Sequence, residues 1–458
     1  MASSLESADV DVSNLEDHPS HSQHSSHQRY MLLSWVVFAF AVTFYSYEYF
    51  LRVSPSVMVE QLETTFNVKA AELGNLSAYY FYAYAAMQIP VGLMMDRFGA
   101  RRLLTMATLI CALGSLVFGY TSSVGVAEFS RVMMGFGSAF AFVGTIFLAS
   151  NWFPPKRIAL LSGMTTMVGM FGAISGEAAL AELVGEIGWR ASMYSWAALG
   201  LLLGFLVFCF VRDSPPKGHP ARKPHHDHAR SAMKLGDLMK NLGTVLTVPQ
   251  NWLAAAYGGF KLMPTLAFAG LWAVPFFQAT FGVEKTAAAE ATSMVYVGWA
   301  VGGPSLGLLS DYIQRRRMLM IVTSFLATID ILVVLYVPGI PFVAMYLLMF
   351  LFGVFSAGQV LVFAVICDIN PGKRAGAAIG FANMVSNLGG AFFQPIIGIL
   401  LEMNGTAIDE GGGAVYAPSD FQFALSVLPI AMGLAFLVSL LIRESYGNRA
   451  PDAQTVAH

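Results

Sequence analysis

The chain has 458 residues, of which 56% are hydrophobic and 12% charged, with 26 Lys and Arg against 28 Asp and Glu for a formal net charge of −2. A soluble globular protein carries roughly twice that share of charge. The composition excludes an ordinary soluble domain and predicts an integral membrane protein.

Residues 1–28 are acidic and Ser-rich, hold no short apolar core ahead of a cleavage site, and read as a disordered tail. His18, His21, His24 and His27 recur there every third residue; weak metal binding or pH sensing and a functionless solvated tail are both open readings. Apolar runs of roughly 20 residues then predict twelve membrane-spanning helices. They lie near 30–60, 71–95, 101–121, 124–152, 157–185, 190–211, 249–280, 286–311, 317–337, 340–368, 374–402 and 420–442. Between the sixth and seventh lies "RDSPPKGHPARKPHHDHAR" (212–230), which is too polar to enter lipid and holds His225, His226 and His228. The expected organisation is an all-α membrane protein: a six-helix bundle over 29–211, a linker over 212–248, a second six-helix bundle over 249–443, and a tail over 444–458.

All nine histidines fall outside the predicted helices, whereas Cys111, Cys209 and Cys367 fall within them. Neither a disulfide framework, a metal site nor a cofactor is expected. No Gly-rich Lys-Ser/Thr loop points to ATP hydrolysis. Basic residues concentrate in the loops from even to odd helices, at Arg97, Arg101, Arg102, Lys156, Arg157, Arg315, Arg316, Arg317, Lys373 and Arg374. The opposite loops hold little more than Lys69, Arg190 and Lys285. Positive-inside asymmetry places both termini in the cytoplasm.

The two halves resemble each other at a shift of about 215 residues, which lays Thr65-Phe66 on Thr280-Phe281, Gly92 on Gly307, Asp96 on Asp311 and Arg101 on Arg316. Such repeats pack around a central cavity. Within the first predicted helix, Tyr45, Glu48, Tyr49, Arg52 and Ser56 share one face. A charge facing mid-bilayer lipid costs at least ~2.5–3.5 kcal/mol, so this stripe faces a cavity, or Glu48 and Arg52 form a self-satisfied pair that serves packing. In the seventh helix Tyr257, Lys261, Thr265, Phe268 and Trp272 form a second stripe, and in the eleventh Asn383, Asn387 and Gln394 a third. Lys261 is expected near a carboxylate or an anionic ligand, because an unpaired lysine in lipid deprotonates or snorkels. A buried Arg131–Glu177 ion pair is expected between the fourth and fifth helices. Asp96 at the end of the second helix suggests a state-dependent ion-pair latch with Arg97, Arg101 and their repeat partners Asp311 and Arg316; simple anchoring by the arginines is the alternative.

"GLMMDRFGARRLL" (92–104) resembles the loop signature of the major facilitator superfamily, "GLLSDYIQRRRML" (307–319) its degenerate second copy, and "RVMMGFG" (131–137) the Arg-Gly motif of its fourth helix. "YFLRVSPSV" (49–57) is similar to the first-helix segment of sugar-phosphate permeases and anion:cation symporters. That resemblance implies Arg52 as the ligand of a phosphate or carboxylate, with Tyr45 and Tyr49 beside it and Arg131 matching the fourth-helix Arg of organic-anion carriers. Two positions depart from the pattern: Ala267 stands where phosphate carriers have a second arginine, and Ser138 where many anion carriers have an acid.

The sequence thus predicts a secondary transporter of the cytoplasmic (inner) membrane that imports a small anionic or zwitterionic metabolite by alternating access with protons. Its substrate-binding candidates are Tyr45, Tyr49, Arg52, Arg131, Lys261, Asn383 and Asn387, and its proton-coupling candidates Glu48 and Glu177. Substrate, protons and the bilayer are the expected partners, with no nucleic acid and a monomeric state. Export of a drug or siderophore is an alternative, disfavoured because "GMFGAISGEAAL" (169–180) has Glu177 where drug antiporters carry a helix-5 proline. A ligand-sensing receptor is another, with no appended signalling domain to support it.

Overall fold

Long apolar runs punctuated by Gly, Pro and polar turns become helices because in lipid every backbone group must be satisfied within the protein. The structure, a computed structural model, describes residues 20–154, 157–216, 235–370, 374–404, 407–408 and 414–445. The first span, Ser20–Val53, ends in a 3-10 turn, Ser54–Val57, and a short helix, Val59–Phe66, follows. The second is Ala70–Met87 continued by Pro90–Phe98, the third Ala100–Tyr120 and the fourth Val124–Trp152. The fifth joins Ile158–Ile174 to Leu180–Ile187 through a π-helical segment, Ser175–Ala179, and the sixth is Trp189–Phe210. A linker helix, Leu235–Leu246, precedes the seventh span, in which Pro249–Pro264 passes through a π segment, Thr265–Trp272, into Ala273–Phe281. The eighth to eleventh spans are Lys285–Ile313, Arg316–Tyr336, Phe342–Ser356 continued to Ile369, and Ala375–Asn404. The twelfth joins Pro418–Ala424 to Val427–Leu441. Before it, Ala407–Ile408 pairs antiparallel with Ala414–Val415.

The first span starts earlier than its hydropathy suggests. His21, His24 and His27 therefore lie on a helix rather than in a disordered tail. His18, His225, His226 and His228 lie outside the described residues.

Each half is tied internally at the end where the sixth span finishes and the third and ninth begin. Asp213, just after the sixth span, accepts the Arg101 backbone N–H at 2.8 Å and so caps the third span. Gly99 makes that cap possible: its φ is +80°, open to glycine, and a Cβ there would strike the Asp213 carboxylate. The second half repeats the device, with Glu444 accepting the N–H groups of Arg316 and Arg317, each at 3.1 Å. The expected latch arginines are used inside their own halves. Arg101 donates through Nε to the Phe208 carbonyl, and Arg316 pairs with Asp368 at 3.2 Å. Arg97 is exposed over the Phe98 ring and Asp311 is exposed. The side chain of Asp96 lies outside what the structure describes.

The halves meet along the second and eleventh spans and along the fifth and eighth. Glycine brings the first pair into backbone contact: Gly74 abuts the Gln394 carbonyl and Gly398 the Ala70 carbonyl, where any Cβ would collide. The opposite end is closed by polar ties between the halves. Glu402 accepts the Ala71 N–H at 2.7 Å, and Lys285 lies 3.9 Å from Glu60. Glu63 is crowded into this seam, where burial and then the neighbouring Glu402 and Glu60 carboxylates push it up to about 7.

A carboxyl whose affinity for protons is raised by closure stabilises the closed form when protonated. That stabilisation is complete below about 4.5, its ordinary value, and is lost as pH rises towards about 7. Spin-label distances across this end should show the open population growing as pH rises through that window. Glu63→Gln should flatten the response, and an unchanged pH response in the variant would count against Glu63 as its source.

Candidate functional site

Arg52 sits one turn after Glu48 on the first span, and both are buried, at 4% and 0% exposure. Its Nη2 lies 3.1 Å from each Glu48 carboxylate oxygen. The Tyr80 hydroxyl donates to Glu48 Oε2 at 2.6 Å, so Glu48 receives donors from two helices. The guanidinium lies over Tyr49 and Tyr84, with its carbon 4.4 and 4.7 Å from the ring centroids. Its Nε has no hydrogen-bond partner. Tyr45 donates to the Tyr49 hydroxyl at 3.4 Å.

A cavity of about 30 Å³ opens beside this pair, lined by Tyr49 and Arg52 from the first half and by Leu262, Leu266, Tyr296 and Trp299 from the second. That is room for roughly two waters. Thr265, also in the wall, accepts from Trp299 Nε1 at 3.0 Å. The Tyr296 hydroxyl is buried without a partner. The site is therefore too small for a metabolite unless the halves part.

The buried Arg131–Glu177 pair does not form. The Arg131 Nη1 donates to the Leu51 carbonyl at 2.7 Å, and Nη2 reaches the carbonyls of Ser77 at 3.4 Å and Arg52 at 3.5 Å. The reason lies in the first span. Pro55 has no N–H to return to Leu51 four residues earlier, so the helix would end with a bare carbonyl in the protein interior. Arg131 satisfies it from the fourth span, together with the Ser54 hydroxyl at 3.1 Å. Arg131 is thus a backbone clip rather than a residue of the cavity wall. Glu177 instead meets the Ser56 hydroxyl at 2.8 Å.

The second-half candidates are also redirected. Lys261 is fully buried, but its Nζ donates to the Thr323 carbonyl of the ninth span at 2.9 Å and it does not line the cavity. The predicted seventh-helix stripe breaks because Thr265–Trp272 is π-helical, and its wider turns carry Phe268 and Trp272 out of the register that holds Tyr257 and Lys261. Asn383 donates to Gln88 Oε1 at 2.6 Å, joining the halves, and Asn387 donates back to Asn383. Gln394 donates to the Leu266 carbonyl at 2.9 Å. These amides tie helices together rather than line the cavity. Sequence reading missed Tyr80, Tyr84, Tyr296 and Trp299. The tyrosine-rich run "AYYFYAYAAM" (78–87) carried a signal for the first two; helical spacing alone gave none for the others. Among the described residues no group of His, Cys, Asp and Glu could hold a metal ion.

The sequence model of the Major Facilitator Superfamily matches residues 31–272 and again 254–457. The probable sulfoacetate transporter SauU of Cupriavidus necator is 24% identical over 427 residues, 89% of this chain and 93% of that protein. The probable galactarate/D-glucarate transporter GudP of Escherichia coli K12 is 23% identical over 436 residues, 88% of this chain and 93% of that one. A solved bacterial homolog of the human lysosomal transporter Spinster, inward-facing and unoccupied, shares the fold with a TM-score of 0.71 at 16% identity, over 92% of this chain and 99% of its own. With two matches of one family spanning both six-helix halves, the chain belongs to the major facilitator superfamily of membrane transporters.

Proposed function

We propose that this transporter imports a small organic anion together with protons, and that Arg52 receives the anion's carboxylate. The observation that carries the reading is the placement of both Glu48 carboxylate oxygens on Arg52 Nη2, beside the cavity and between two tyrosine rings. Glu48 stands where a substrate carboxylate would stand. When it is ionised it competes with an incoming anion; when it is protonated the guanidinium is free to turn to one. Proton and anion then favour each other's binding, which is the thermodynamic content of symport. The relatives named for sulfoacetate and for galactarate/D-glucarate support an organic anion. The hydroxyls of Tyr49, Thr265 and Tyr296 offer hydrogen bonds suited to a hydroxylated one. The basic loops support placement in the cytoplasmic (inner) membrane with both termini cytoplasmic, and the pairing of two six-helix halves in one chain supports a monomer.

Two variants test the reading, with D-glucarate and sulfoacetate as probes. Arg52→Ala removes a charge-assisted contact worth about 1.5–3 kcal/mol and should weaken binding roughly tenfold to a hundredfold. Arg52→Lys should weaken it less, because an ammonium keeps the charge even though it cannot reproduce the planar fork. Near-wild-type affinity in purified Arg52→Ala for a probe the wild type binds would sink the assignment.

Glu48→Gln fixes the uncharged state. It should retain exchange of labelled probe between the two sides of a liposome while losing accumulation driven by a proton gradient, with a flatter pH profile of affinity. Concentration of the probe to wild-type levels by this variant would remove Glu48 from the coupling mechanism.

A further inference from the structure

Glu177 is fully buried in the π segment of the fifth span. Ser56, in the 3-10 turn that ends the first span, is its hydrogen-bond partner, with Oγ 2.8 Å from Glu177 Oε2 and also 2.8 Å from the Val53 carbonyl. Glu177 Oε1 has no partner. One hydroxyl hydrogen cannot serve both acceptors. If Ser56 donates to Glu177, a carboxylate is buried on a single hydrogen bond with one oxygen bare, an arrangement that costs several kcal/mol. If Ser56 donates to Val53, it accepts from a protonated Glu177, and Ser56 serves one neighbour with its hydrogen and the other with a lone pair. Glu48 is the contrast: its carboxylate takes contacts from Arg52 and Tyr80. Two buried acids on adjoining helices thus have environments suited to opposite protonation states.

The groups around Glu177 supply no compensating cation. Arg131 is committed to the carbonyls of Leu51, Arg52 and Ser77. Arg52, on the first span, is taken up by Glu48. From the eighth span of the opposite half, Tyr296 is within electrostatic reach of Glu177, Tyr49 and Arg52, and its hydroxyl is unpartnered. The π segment itself packs on that eighth span, and Gly176 lets it lie against Phe50 and Val53. Glu177 therefore sits on the seam along which the halves separate.

We propose that Glu177 carries a proton in the closed transporter and is a second proton-coupling residue, a refinement that rests on the proton-coupled reading above. When the halves part, water reaches the carboxyl, its O–H bond breaks, the proton passes to water on the open side, and the carboxylate is solvated. Reclosure requires a proton to return, because closing over the ionised form would bury a bare charge. The cavity can then change sides only with Glu177 protonated.

Two substrate-free measurements on the full chain test this. In infrared difference spectra at neutral pH in a Glu63→Gln background, Glu177→Gln should remove a protonated-carboxyl C=O band that Glu48→Gln retains and that Ser56→Ala, which removes the hydrogen-bond partner, shifts. Loss of no such band in Glu177→Gln, or a band that Ser56→Ala leaves unmoved, overturns the proposal. In a Glu63→Gln background, labels across the fifth and eighth spans should show the open-to-closed ratio rising by up to about tenfold per pH unit, and Glu177→Gln should make it flat. An unchanged slope in Glu177→Gln overturns the coupling role. If both results hold while a proton gradient fails to concentrate either probe in wild type, the proton site stands and the symport reading fails.

Discussion

A guanidinium held inside a bilayer must be met by acceptors, and this requirement organises the first half of the molecule. Arg52 is met by Glu48 and sandwiched by Tyr49 and Tyr84, so the cation is stabilised without being locked into hydrogen bonds on every side. Its partner sits on the same helix one turn away, and the pair travels as a unit when the helix moves. A functional charge and its neutralising group are thereby delivered together to the wall of a cavity shared by both halves.

Satisfying that charge shapes what surrounds it. Helix 1 must end just beyond Arg52, and Pro55 ends it, at the cost of a carbonyl that Arg131 repairs. Helix 5 must approach closely enough for Glu177 to reach Ser56, and Gly172 and Gly176 permit it, with Gly172 abutting the Ser46 carbonyl. The second half answers with apolar and aromatic surface and few charges. Lys261 is occupied elsewhere by Thr323, leaving Arg52 as the cation of the cavity wall. The asymmetry divides the labour: charge on one side, shape and neutral hydrogen bonds on the other.

The fold was legible because hydropathy and loop charge act on whole segments. Twelve helices are legible, the first with a start ten residues late, since the cost of exposing backbone in lipid leaves few other ways to cross. The Glu48–Arg52 stripe was legible for a related reason, as two charges on one face of an apolar helix demand an explanation. Partner choice was not. Arg131 seeks a carbonyl freed by a proline 76 positions earlier in the chain, by the difference between residues 131 and 55, and no local pattern announces it. The seventh-helix stripe failed because ideal 3.6-residue spacing was extended across a π segment. Tyr296 and Trp299 escaped because an aromatic side chain in an apolar helix looks the same in sequence whether it faces lipid, core or cavity.

The Arg131 clip bears on how the protein is made. The carbonyls it satisfies precede it by 80, 79 and 54 residues. At roughly 5–20 residues per second of synthesis, the end of the first helix waits about 4 to 16 s for the residue that completes it. During that interval its broken last turn has its own serines, neighbouring lipid headgroups or the insertion machinery for company. The first helix therefore reaches its finished shape only after the fourth has been delivered to the membrane, and the amino-terminal bundle assembles as a set of four rather than one helix at a time.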